Sequence, residues 1–158
     1  MTLRTALLAA IVLAQAAPAF AQEREWSLNS TDTQTFLVFG VPDTDDVGLS
    51  FWCLNGKKDM SAFLPEPTLK LKRGQKLSML LAVNGKTARI PAVVDKDDAT
   101  GVFTVEGKFN QGSQLLKNLK NGQAVTVTVL NHTSTYPLTD ADFAGLVDSC
   151  NGVVPDAN

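Results

Sequence analysis

"KLSMLLAVNGKTARIPAVV" (76–94) decides the fold. Leu77, Met79, Leu81 and Val83 fall on every second residue. Successive side chains of a strand point to opposite faces, so this spacing gives one apolar face. Asn84-Gly85 then interrupts the run. Both residue types tolerate positive φ, which a tight hairpin demands. The stretch reads as two antiparallel strands joined at Asn84-Gly85.

The same grammar extends outward. Val125, Val127 and Val129 alternate with Thr126 and Thr128 in "AVTVTVL" (124–130). Phe103, Val105 and Phe109 share a face of "GVFTVEGKF" (101–109). "TFLVFG" (35–40) is apolar on both faces and suits a central strand. "FWCLNGKKDMSAFL" (51–64) reads as a second hairpin, over Asn55-Gly56. Further turns are signalled at Arg73-Gly74 and Asn121-Gly122. The pattern predicts a mainly β domain: an antiparallel β-sandwich or partly open barrel of about 7–9 strands.

Two short helices are predicted besides. "SQLLKNLKNG" (113–122) opens on Ser113, an N-cap type, and closes at Gly122, with Leu115, Leu116 and Leu119 as its stripe. "TDADFAGLVDSCNG" (139–152) has Thr139 as N-cap and Asp140 and Asp142 at the positive helix start. Phe143, Leu146, Val147 and Cys150 stand at i, i+3, i+4 and i+7, which is one helical face.

The first residues, "MTLRTALLAAIVLAQAAPAFAQ", have the layout of a secretory signal. Arg4 precedes an apolar run from Ala6 to Ala14, and Ala19-Phe20-Ala21 puts small side chains two apart. The run is shorter than the roughly 20 apolar residues of a spanning helix. Cleavage is expected after Ala21, giving a signal peptide (1–21), a single β-rich domain (22–152) and a flexible C-terminal tail (153–158). The remaining 137 residues carry a formal charge of −3 and suffice for one core. No later segment is long and apolar enough to span a bilayer, and the acidic balance gives nucleic acid no footprint. The expected location is the periplasm, or outside the cell.

The chain has two cysteines. Alternation puts Cys53 beside Phe51 on an inward face, and Cys150 lies on the buried helical face. An exported chain with an even pair of inward thiols is expected to join them. A Cys53–Cys150 bond would close a loop of 98 residues and dock the last helix on the sheet. A catalytic thiol needs a depressed pKa, commonly from a histidine, and the single histidine, His132, has no sequence reason to meet Cys53. Zinc would want about four ligands, which this supply does not offer. No metal, cofactor or catalytic set is expected.

Other clusters are weaker signals. "PDTDDVG" (42–48) starts like a calcium loop, but Val47 and Leu54 stand where ligands belong, so it reads as a solvated turn. "DKDDATG" (95–101) reads as a polar loop. "TLKLKRGQK" (68–76) gathers Lys70, Lys72 and Arg73, either as a basic patch for an acidic partner or as an edge strand guarded by lysines. Trp52 alternates away from Phe51 and Cys53, and an outward Trp is a typical binding anchor. Trp52, Lys70, Lys72 and Arg73 form the candidate binding surface.

The runs "FLVFGVPDTDDVGLSFWC", "LLKNLKNGQAVTVTV" and "YPLTDADFAGLVDSC" resemble small exported proteobacterial β proteins closed by a short helix and a late cysteine. The second half is similar to the invasion-associated locus B family. That resemblance implies a non-enzymatic role in the periplasm or at the cell surface, with an unknown protein or envelope component as partner. "LSFWCLNGKKDMSAFLPE" (49–66) is similar to the opening strand of periplasmic C-type lysozyme inhibitors, which implies inhibition through a loop near 84–92. A third expectation is a carboxylate-dependent hydrolase, which would require Asp45, Asp46, Asp95, Asp97 or Asp98 to cluster in a pocket.

Overall fold

The computed structural model describes residues 23–66 and 68–152. The expected leader (1–21) and tail (153–158) lie outside the described residues. The elements run β1 (Glu25–Ser30), β2 (Gln34–Gly40), β3 (Val47–Leu54), β4 (Asp59–Pro65), β5 (Lys76–Val83), β6 (Lys86–Lys96), β7 (Phe103–Asn110), α1 (Gln114–Lys120), β8 (Ala124–Val129), β9 (His132–Pro137) and α2 (Phe143–Cys150).

The nine strands form one antiparallel sheet in the order β1-β2-β3-β4-β7-β6-β5-β8-β9, curled into a half-barrel. Of the two expected architectures, the partly open barrel is the one adopted. Every neighbour is antiparallel, so all odd-numbered strands run one way and all even-numbered strands the other. The connections β2–β3, β4–β5, β6–β7 and β8–β9 therefore gather at one end, the loop end. Both helices follow strands that finish at the other, the helix end.

Alternation places the core as expected. Leu37, Leu49, Phe51, Met60, Leu64, Met79, Leu81, Val105, Val125 and Val127 turn into the concave side and are at most 1% exposed. Each is worth about 1.5–3 kcal/mol for its burial. Gly107 lies on this inner face because a Cβ there would stand 2.5 Å from Ile90 Cδ1. Asn84 (φ +49) and Gly85 (φ +73) close the β5–β6 hairpin in the left-handed region, as its type of turn requires.

The helices cover the concave side. Leu115, Leu116 and Leu119 of α1, and Phe143 and Leu146 of α2, are buried. Ser113 caps α1 as expected, accepting from Leu116 N. The second helix starts later than the sequence suggests. Its N-cap is Asp142, not Thr139, and the Asp142 carboxylate accepts from Gly145 N at 2.8 Å. Asp140 has φ +65, which no helical residue can hold, so the first turn is excluded there.

An eight-residue helix is too short to hold itself. α2 is held by its apolar face and by the Cys53–Cys150 disulfide, with Cα atoms 5.9 Å apart and a sequence separation of 97. The stretch 68–75 is not an edge strand: it is an irregular connection with a turn at Lys72–Gln75 and Gly74 at φ +79. Leu69 and Leu71 both sink toward the core, as alternation would have it, but the Leu71 N–H donates to the Leu69 carbonyl and this tight local turn curls the chain out of an extended ladder. The edges are β1 and β9 instead. They are linked by Trp26, whose indole donates to the Pro137 carbonyl at 2.7 Å while its ring packs near Phe39, Phe51 and Phe143.

Candidate functional site

The two cysteines are bonded to each other and buried, so neither offers a thiolate. Cys53 serves the fold.

The four residues of the expected binding surface do not meet on one face. Trp52 points out from the convex side of β3, half-buried, its ring stacked on Phe36 of β2 at 6.0 Å. The two are direct cross-strand partners, and such aromatic pairs stabilise a sheet. Phe63 of β4 adjoins this pair diagonally, and the 47% exposed Val93 of β6 lies beyond it, separated by Glu106 of the intervening β7. Lys70, Lys72 and Arg73 belong instead to the β4–β5 connection at the loop end, where Arg73, without Trp52, Lys70 or Lys72, lines a groove with Phe63 and Val93. Arg73 is neutralised there. Its guanidinium contacts Asp95 at 3.1 Å and Asp98 at 2.5 Å, and donates to the Lys96 carbonyl. The hydrogen bond and charge of Asp98 hold Arg73 above its ordinary pKa.

A polar cleft of about 340 Å³ opens at the loop end. On β9 the inward positions are polar: His132, Ser134 and Tyr136 face the lumen opposite Val129, Val127 and Val125 of β8. Glu66 meets them from the end of β4. Its backbone N–H donates to the Phe103 carbonyl, which carries the β4–β7 ladder one residue further. Glu66 is only 2% exposed. The His132 ring nitrogen Nδ1 lies 2.9 Å from Oε2 and 3.1 Å from Oε1 of this carboxylate. A buried carboxylate is tolerated only with such a partner. Arg24 and Asp46 form the rim, paired at 2.5 Å, and Thr68 also lines the cleft.

Tyr136 is placed by the absence of a side chain elsewhere. A Cβ on Gly48, at the β2–β3 register shift, would stand 3.1 Å from Tyr136 Cε1. Desolvation first, and the Glu66 charge as a lesser cause, raise the Tyr136 pKa, opposed by a hydrogen bond with Ser134 and the charge of Arg24.

Sequence reasoning missed Glu66, although a signal existed. The alternation that turns Met60, Ala62 and Leu64 inward carries on to residue 66. The aspartates do not gather. Asp45 and Asp46 line the cleft, while Asp95 and Asp98 serve Arg73. Asp97 organises its own loop: Oδ1 accepts from Ala99 N and Thr100 N, and these bonds lower its pKa. Among the described residues, no three His, Cys, Asp or Glu side chains converge as a metal site. Nor is any helix among them long and apolar enough to cross a membrane. The only tyrosine, Tyr136, is in the cleft and not on the β5–β6 hairpin that contains residues 84–92.

No family model, curated protein or solved structure matches the chain.

Proposed function

We propose that the protein is a non-enzymatic exported binding protein, periplasmic or secreted, that engages a protein or envelope component through its convex face. One observation carries this reading. Phe36, Trp52 and Phe63 form an apolar patch on the convex side, with Val93 beyond Glu106, and both helices are spent on the other side. Uncovered apolar patches on soluble proteins mark interaction sites, and Trp is a common anchor within them. The buried disulfide fits an oxidising compartment, in line with the signal-like N-terminus. The resemblance to exported proteins of the invasion-associated locus B type agrees with it.

A photo-crosslinking side chain placed at Val93 in the expressing cell tests the proposal. A discrete adduct that disappears with Trp52→Ala, and does not form from Thr135 at the far side of the sheet, is the expected result. Equal labelling from both positions would remove the patch around Trp52 from consideration.

A second reading, a carboxylate-dependent hydrolase, draws on the loop-end cleft, where Glu66 is buried against His132 beside Asp45 and Asp46. Turnover of any ester, amide or glycoside that Glu66→Gln abolishes would favour it over binding.

A further inference from the structure

The ion pairs of this chain are segregated. Among the described residues the three arginine–carboxylate pairs, Arg24 with Asp46 and Arg73 with Asp95 and with Asp98, lie at the loop end, as does the His132–Glu66 contact. No lysine takes part in one. At the helix end three of these unpaired lysines face a single groove. Lys58 comes from the β3–β4 connection, and Lys117 and Lys120 from the last turn of α1.

The groove has a volume of about 530 Å³. Its remaining lining is Asn110 at the end of β7, Gln111 and Gly112 from the β7–α1 turn, Asn151 just past α2, and an apolar floor of Leu116 and Val147. No carboxylate lines it. The chain as a whole carries a formal charge of −2, so this groove reverses the sign of the molecule. The helix dipole accounts for Lys117 and Lys120, because cations are favoured near the carbonyl end. It does not account for Lys58, which arrives from another element and adds a third like charge.

We infer that this groove binds a phosphoryl group carrying more than one negative charge, whether on a lipid headgroup or on a soluble diphosphate. Lysine ammonium groups act on phosphate as point charges with three donors each. Three of them lining one groove exceed what a single carboxylate would balance. The amides of Asn110 and Asn151 add neutral donors beside the charges. The site is separate from the convex patch and does not depend on its role. It relocates the basic patch that the sequence suggested: the cations of the β4–β5 connection lie at the opposite end, and Arg73 among them is already paired.

The test uses the protein with its disulfide intact. Co-sedimentation is measured with vesicles of phosphatidylcholine alone and of equal parts phosphatidylcholine and phosphatidic acid, with inorganic pyrophosphate as soluble competitor. Binding to the phosphatidic acid vesicles only is expected, weakening as salt is added. The combined Lys58→Ala, Lys117→Ala and Lys120→Ala variant should lose about a hundredfold in affinity, since each lysine near an anionic surface contributes about a factor of five. All three side chains are exposed, and an unchanged unfolding midpoint verifies the fold of the variant. A Lys70→Ala, Lys72→Ala control at the loop end should bind as the parent does. Displacement by pyrophosphate assigns the site to a soluble phosphate. Persistence of vesicle binding against pyrophosphate assigns it to a lipid. Failure to bind either probe, or an equal loss in the loop-end control, overturns the inference.

Discussion

His132 Nδ1 lies 2.9 Å from Glu66 Oε2, across the lumen from the first residue of β9 to the end of β4. The two residues are 66 apart in sequence, and β4 and β9 are separated in the sheet by β7, β6, β5 and β8. The contact is therefore made through the interior and not along the ladder. It clamps an edge strand to the middle of the sheet.

Removing one partner should cost more than removing both. His132→Ala leaves the Glu66 carboxylate buried and unpaired, with an expected loss of about 3 kcal/mol, at the low end because His132 is partly solvated. The double variant Glu66→Met, His132→Leu should return to within about 1 kcal/mol of the parent. Urea denaturation curves of the three proteins decide this. A double variant as unstable as the single one would mean that the pair is not what holds the cleft.

Tyr136 is the only tyrosine, so phenolate absorbance reads it without ambiguity. Its titration should lie above the ordinary value of 10.0, since burial and then the Glu66 charge favour the neutral phenol. The neutral form binds its proton more tightly in the folded state. Stability from this group is thus complete below pH 10.0 and declines as the pH rises from there through the folded pKa. Glu66→Gln should move the titration down. An unshifted midpoint in that variant would place the charge out of reach of the ring.

The disulfide should act on the whole domain. Cys53→Ser with Cys150→Ser is expected to cost about 2–5 kcal/mol, consistent with a loop of roughly a hundred residues. Thiol titration of the native protein should find none free, and two after denaturation with reductant.

Leu130 stands at the tip of the β8–β9 turn with φ +53 and 56% of its surface exposed. The left-handed region costs a branched side chain about 1–2 kcal/mol, part of which glycine gives back in unfolded-state entropy. Leu130→Gly is accordingly expected to stabilise the fold by about 0.5–1 kcal/mol in thermal or chemical unfolding. A loss of stability would reveal packing at this tip.

Neighbouring positions on β3 should respond unequally. Phe51 is 0% exposed in the core, and Phe51→Ala should cost about 3–5 kcal/mol. Trp52 is half-buried on the convex face, so Trp52→Ala should cost below about 2 kcal/mol and leave the fold available for binding assays. Equal costs would show that the convex patch is a second core layer.

By itself the sequence determined neither edge strand, β1 or β9, but it determined the strands from β2 to β8 and their inward faces, the Asn84-Gly85 hairpin, the stripes of both helices and the inward aim of Cys53 and Cys150. These are local properties. Pleat and helical pitch fix which residues share a face, and turn residues declare their own φ. Tertiary structure alone decided that β4 pairs with β7 and β5 with β8, because many strands offer an apolar face and only mutual packing selects the neighbours. The charged groups depended on the same choice. Arg73 meets Asp98 25 residues away, and Glu66 meets His132 66 residues away. A charge has no periodicity to betray its partner. Only the closure of the half-barrel, which brings the loops of one end together, determined that Arg24, Arg73 and His132 meet their carboxylates.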